Sequence, residues 1–135
     1  MDQTPRQEYD ISTEDVLFPV GEWFDVKSIA DAEAPWWNRT LSEVSGSWVR
    51  LGVMEGDFHW HKHDDTDDFF LVLRGVLDIQ LRDRTVTLGP GQMYIVPKGV
   101  EHRPVAKEEV HLLLIEPTGT PNTGDVKTAA PRMTA

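Results

Sequence analysis

The stretch HKHDDTDDFFLVLRG, residues 61–75, and its counterpart GQMYIVPKGVEH, residues 91–102, decide how this chain folds. His61 and His63 stand on alternate positions, and alternate residues of a strand share one face, so both imidazoles can look into the same space. Asp68 comes next and opens an apolar run, Phe69 to Leu73, that closes at Gly75. The second stretch turns at Pro97-Lys98-Gly99 and delivers His102 from a segment distant in sequence. With strands between them, these residues can surround a single metal ion.

Outward from these stretches, everything after Ser47 reads as short strands. They run from Trp48 to Val53, Asp57 to His63, Asp68 to Arg74, Val76 to Leu81, Thr85 to Leu88, Gln92 to Val96, His102 to Val105 and Val110 to Glu116. Gly75, Asp83, Gly89-Pro90-Gly91 and Pro97-Lys98-Gly99 supply the turns between them. Leu77, Ile79 and Leu81 alternate with Asp78, Gln80 and Arg82, the pattern of one dry and one wet face. Phe69 to Leu73 is apolar on both parities, which predicts cover on both sides, the outer side by a second subunit or by the N-terminal segment. Regularly spaced short strands predict an all-β sandwich or barrel.

The ends have a different character. Residues 1–20 read as a flexible N-terminal segment, 21–117 as the folded domain, and 118–135, rich in Pro, Gly, Thr and Ala, as a loose C-terminal tail. Asp25 is placed to cap a short helix through Ala32, before Pro35 and the pair Trp36-Trp37 interrupt it. A chain of 135 residues is the size of one domain. Its 13 basic and 23 acidic side chains give a net charge of −10, which argues against nucleic acid and anionic membrane partners. With no cysteine, disulfides and thiolate ligands are excluded, and any metal must be held by nitrogen and oxygen. No signal-peptide core or membrane-length apolar run is present in the sequence, so a soluble, cytoplasmic protein is expected.

The two stretches resemble the paired motifs of the cupin family, small single-domain and mannose-6-phosphate isomerase-like. Its first motif joins a glycine, His-x-His, a glutamate and a closing glycine; its second joins a glycine, Pro-x-Gly, a histidine and an asparagine. Residues His61 to Gly75 and Gly91 to His102 fit that spacing. Asp68 stands where the family usually has glutamate, Ala106 replaces the asparagine, and Gly56 is one residue nearer His61 than usual. The resemblance implies a double-stranded β-helix, the jelly-roll barrel, often as a homodimer. It also implies that His61, His63 and His102 are metal ligands, with Asp68 in the carboxylate position.

Three imidazoles and a carboxylate suit a divalent transition metal ion, Fe, Mn, Ni, Cu or Zn, without choosing among them. Aspartate is one methylene shorter than glutamate, so Asp68 bonds the metal directly only if its backbone stands closer by ~1–1.5 Å, and otherwise through water. Asp67 is the alternative carboxylate. His59 shares the parity of His61 and is a candidate cavity acid, base or further ligand, whereas Phe58 and Trp60 should face away as packing residues. His111 reads as either cavity wall or buried hydrogen-bonded residue; Arg50, Gln92 and Tyr94 are further pocket candidates, and Trp36 and Trp37 either cap the barrel mouth or fill core. The function expected is that of a metal-dependent enzyme acting on a small molecule, of dioxygenase or isomerase type, with no catalytic residue identified. The alternative is a non-catalytic cupin that binds a small ligand.

Overall fold

The computed structural model describes residues 10–119, with side chains from residue 15 onward. In chain order the elements are β1 (Asp10–Val16), α1 (Val26–Asp31), β2 (Trp37–Val44), β3 (Ser47–Asp57), β4 (Asp68–Arg74), β5 (Leu77–Leu81), β6 (Thr85–Leu88), β7 (Met93–Val96) and β8 (His102–Pro117). The all-β expectation holds. Strands lie in the order β1-β2-β3-β8-β4-β7, with β5 attached to β8 and β6 to β5.

One strand is the spine of this arrangement. The start of β8 pairs with β5, His102 opposite Leu81 and Val105 opposite Asp78. Its second half runs between β3 and β4, with Leu113 opposite both Leu51 and Leu71. Register shifts on β3 between Met54 and Gly56, and on β4 between Val72 and Arg74, bend the sheet around it. The sequence splits this spine into two strands because Lys107 and Glu108 interrupt the apolar alternation; both are exposed while the backbone continues through them. Gly75 turns the chain from β4 into β5 at a φ of 86°, and a Cβ there would lie 2.5 Å from the Glu109 carbonyl oxygen. A side chain has no room at that approach.

Inward positions build the main core: Phe70 and Val72 of β4, Leu77, Ile79 and Leu81 of β5, and Val110, Leu112 and Leu114 of β8. A second cluster covers the outside of β2 and β3, where Trp37, Leu41, Leu51 and Val53 meet Ala30, Ile29 and Val26 of α1 together with Phe18 and Phe24. Six residues are too few for an isolated helix to persist. The Asp25 carboxylate caps it by accepting the Ser28 N–H at 3.2 Å, and burial of its apolar side supplies the rest.

Two parts of the N-terminal half depart from the sequence reading. Residues 10–16 form β1, pairing in parallel with β2, and residues 37–44 form β2, a strand that Trp36-Trp37 conceals among polar neighbours. Within the segment expected to be flexible over 1–20, residues 10–16 are a strand, while residues 1–9, and residues 120–135 of the expected tail, lie outside the described residues. On β4 the inner residues are covered as expected. On its outer side Phe69 and Leu71 are half-buried and Leu73 is exposed, beside Met93 and Ile95 of β7.

Candidate metal centre

The expected strand over Asp57 to His63 is not formed. β3 stops at Asp57, and the following segment is tied to the start of β8 by separate bonds: Phe58 N–H to the Pro104 carbonyl, and a single reciprocal bridge between His61 and His102 at 3.0 and 2.9 Å. Gly99 N–H donates to the His63 carbonyl at 2.7 Å, which fastens the Pro97-Gly99 turn to the same segment. Asp68, the first residue of β4, lies opposite Val96 of β7 and completes the enclosure from the other side. His61, His63, Asp68 and His102 are all buried, and one donor atom from each falls within 4.8 Å of the others.

The Asp68 carboxylate reaches the three rings despite its shorter side chain. Its Oδ2 lies 2.9 Å from His102 Nε2, 3.3 Å from His63 Nε2 and 4.0 Å from His61 Nε2. An ion that binds nitrogen and oxygen at about 2.0–2.2 Å sets neighbouring donors about 3–3.5 Å apart, a spacing that His102 and His63 keep from Asp68 while His61 stands farther off at 4.0 Å. The outer nitrogens of two rings support this. His61 Nδ1 donates to the His59 carbonyl at 3.0 Å and His102 Nδ1 to the Val100 carbonyl at 2.9 Å. Carbonyls accept only, so both Nδ1 atoms carry hydrogen and a neutral ring then presents the Nε2 lone pair inward. Two acceptors cannot face each other at the separation of His102 Nε2 and Asp68 Oδ2; a proton or a cation must lie between them.

Electrostatics keep His61 neutral. Burial, reinforced by His102, holds the His61 imidazole down to about 3, which keeps it neutral. Burial pushes Asp68 upward, but hydrogen bonds from His102 and His63 outweigh it and hold the carboxyl below its usual range. A buried carboxylate surrounded by three imidazoles is the donor chemistry of a divalent transition ion.

Beside this group lies a cavity of about 60 Å³. Its wall is mostly apolar, with Trp36, Met54, Phe58, Phe70, Leu112 and Leu114, and it includes His61, Asp68, Asn38 and Glu116. Glu116 Oε2 accepts Arg50 Nη1 at 3.1 Å, and Arg50 Nε donates to Thr40 Oγ1 at 3.1 Å. Both members of this pair are buried. Burial, then the Asp68 charge, pushes the Glu116 carboxyl up to about 7 against the pull of Arg50.

The remaining candidates sort by contact. Asp67 is exposed and caps the Pro97-Gly99 turn by accepting the Lys98 N–H at 2.9 Å, which leaves the carboxylate position to Asp68. His59 serves through its carbonyl, and its ring is absent from the four-donor group. Phe58 faces the cavity, contrary to its expected direction, because the regular alternation of β3 has already ended; its ring meets Trp36 at 5.8 Å. Trp60 faces away and stacks 3.7 Å beneath the Arg82 guanidinium. His111 is a buried hydrogen-bonded residue, 2.7 Å from Glu109. Tyr94 and Gln92 bond Arg84 and the Gly89 N–H, and Trp37 fills the outer cluster. Sequence reasoning missed Glu116, although a signal existed: it continues the inward parity of Val110, Leu112 and Leu114.

Comparison with known proteins agrees with this geometry. A family model described as Cupin domain matches residues 47–116. The crystal structure of a cupin-2 domain containing protein from Shewanella frigidimarina is 41% identical with a TM-score of 0.67, over 70% of this chain and 93% of that one. Protein NMB1881 from Neisseria meningitidis is 28% identical with a TM-score of 0.65, over 71% of this chain and 99% of that one. Over 67 residues the chain is 42% identical to the uncharacterized protein YdbB of Bacillus subtilis, covering 49% of this chain and 59% of that protein, less than two thirds of its length. The chain belongs to the cupin family, and its strands form the double-stranded β-helix of that fold.

Proposed function

We propose that His61, His63, His102 and Asp68 hold one divalent transition metal ion, with Asp68 bonding directly, and that the chain is a metal-dependent enzyme acting on a small molecule in the adjoining cavity. The observation that carries this reading is the approach of one Asp68 oxygen to three buried Nε2 atoms, at 2.9, 3.3 and 4.0 Å. When bound, the ion supplies a Lewis acid or an oxygen-binding centre, the chemistry of the dioxygenase and isomerase types. The protein's own part is to orient and to exclude water. His59 and Val100 carbonyls fix two ring orientations, while Trp36, Phe58, Phe70 and Leu112 keep the adjoining space apolar.

Metal analysis of untagged protein purified without chelator tests the first step. About one equivalent of Fe, Mn, Ni, Cu or Zn is expected, directly or after reconstitution; less than about a tenth of an equivalent contradicts the ligand set. Oxygen uptake with small acids and diketones, or isomerisation of small sugars, tests the second. Inertness across both panels, together with stoichiometric ligand binding, would make the chain a binding protein instead.

We also propose a second copy of the chain as the cover of the apolar strip on β4 and β7. Phe69 lies opposite Ile95 and Leu71 opposite Met93, so with Leu73 they share one face. Light scattering should give a dimer that Leu73→Lys with Ile95→Lys converts to monomer; a monomeric native chain contradicts this.

A further inference from the structure

We propose that Glu116 selects the ligand of the cavity: its carboxylate is a second polar pole that receives a hydroxyl or amino donor from a molecule whose oxygen end meets the metal and whose middle is apolar. This rests on the metal reading above and adds a substrate class to it.

The cavity wall motivates the assignment. Apart from His61, Asp68, Glu116 and Asn38 its lining is chiefly apolar, with Trp36, Met54, Phe70, Leu112 and Leu114. Arg50 Nη1 engages Glu116 through Oε2 at 3.1 Å, and Glu116 itself lines the cavity. Arg50 itself is not part of the wall, so the cavity meets the acceptor and not the cation. An ionised carboxylate accepts only, and its complement on a ligand is a donor. A second carboxylate on the ligand would face like charge there.

Stability gives no reason for the pair. A fully buried Arg–Glu pair seldom gains over apolar residues of similar volume, because desolvation of two ions cancels their attraction. Arg50 and Glu116 occupy buried positions on β3 and β8, two residues from Gly52 and Leu114 of the cavity wall. A buried charged group on the wall of a ligand-sized cavity has the character of a recognition group.

The test uses zinc-loaded protein at pH 8.5 and straight-chain carboxylates of about three to six carbons that end in methyl, ammonium or carboxylate, with affinities measured by calorimetry. At the best chain length the ammonium-ended probe should bind about tenfold more tightly than the methyl-ended one, with the diacid weakest, and Glu116→Gln should reduce the ammonium preference to within about twofold. If Glu116→Gln does not fold, the double change Arg50→Leu with Glu116→Leu removes the pair without stranding a charge and should abolish the preference equally. A preference that survives either change, a diacid that binds as well as the amine, or no binding of any probe at full zinc occupancy overturns the inference and leaves the metal site standing. Failure to take up zinc, read on the same sample before any probe is added, overturns the metal reading and the inference with it.

Discussion

The two ends of β8 carry two buried polar groups that are satisfied in opposite ways. Glu116, near its end, has a counter-charge in Arg50, itself steadied by Thr40. His102, at its start, stands 2.9 Å from the Asp68 carboxylate, which also faces His63 at 3.3 Å and His61 at 4.0 Å. The first group carries its own counter-charge; the second is a donor set that could hold a cation. One strand thus carries part of a His–Asp donor set at its start and an ion pair beside the cavity near its end.

Breaking each end separately exposes the difference. His102→Ala should lower metal affinity by about a hundredfold to a thousandfold, since a structural site worth ~10–16 kcal/mol shared by four donors gives ~2.5–4 kcal/mol to each, while the metal-free fold persists. Retained occupancy on metal analysis would show a wrong ligand. Arg50→Ala should leave the metal site loaded yet cost about 3 kcal/mol in denaturant unfolding, because Glu116 is left buried without its partner. A loss below about 1 kcal/mol would mean that the pair is already solvated.

Acidity sharpens the contrast in the metal-free protein. At His61, held down to about 3, the unfolded chain takes a proton below about 6.5 that the folded chain refuses, so this end loses stability as pH falls. At Glu116, pushed up to about 7, the folded chain keeps a proton that the unfolded chain sheds above 4.5, so this end loses stability as pH rises. From pH 5 to 7, Glu116→Gln should therefore gain on the wild type by about 1–2 kcal/mol in unfolding free energy. Parallel curves would show that Glu116 does not titrate in this range. The smallest effect is expected at Trp60, whose stacking on Arg82 steadies the segment between His59 and His63. Trp60→Ala should weaken metal binding about fivefold by calorimetric titration, and an unchanged affinity would assign that segment's order to its backbone bonds alone.

Much of the metal end was legible in the sequence because the chemistry of His61, His63, Asp68 and His102 is tied to turn residues at Gly75, Pro97 and Gly99 that fix where strands begin. The other end was less legible. Glu116 closes an apolar alternation and looks like the polar end of a strand, and its partner Arg50 is 66 residues away, beyond any local pattern. Phe58 was misdirected for a related reason. Period-two reasoning holds only while the ladder continues, and β3 ends at Asp57, so the parity of Phe58 and His59 was set by individual bonds to β8. Asp68 shows the converse case: its reach depended on the placement of β4 against β7, a tertiary fact that side-chain length could not supply.

X-ray absorption at the edge of the bound metal tests the central claim most directly, because it reads the atoms around the ion. The account predicts three imidazole nitrogens and at least one oxygen at about 2.0–2.2 Å, with one imidazole lost in any residual site of His102→Ala. Fewer than two imidazoles in the native protein, or a shell that His102→Ala leaves unaltered, would contradict it.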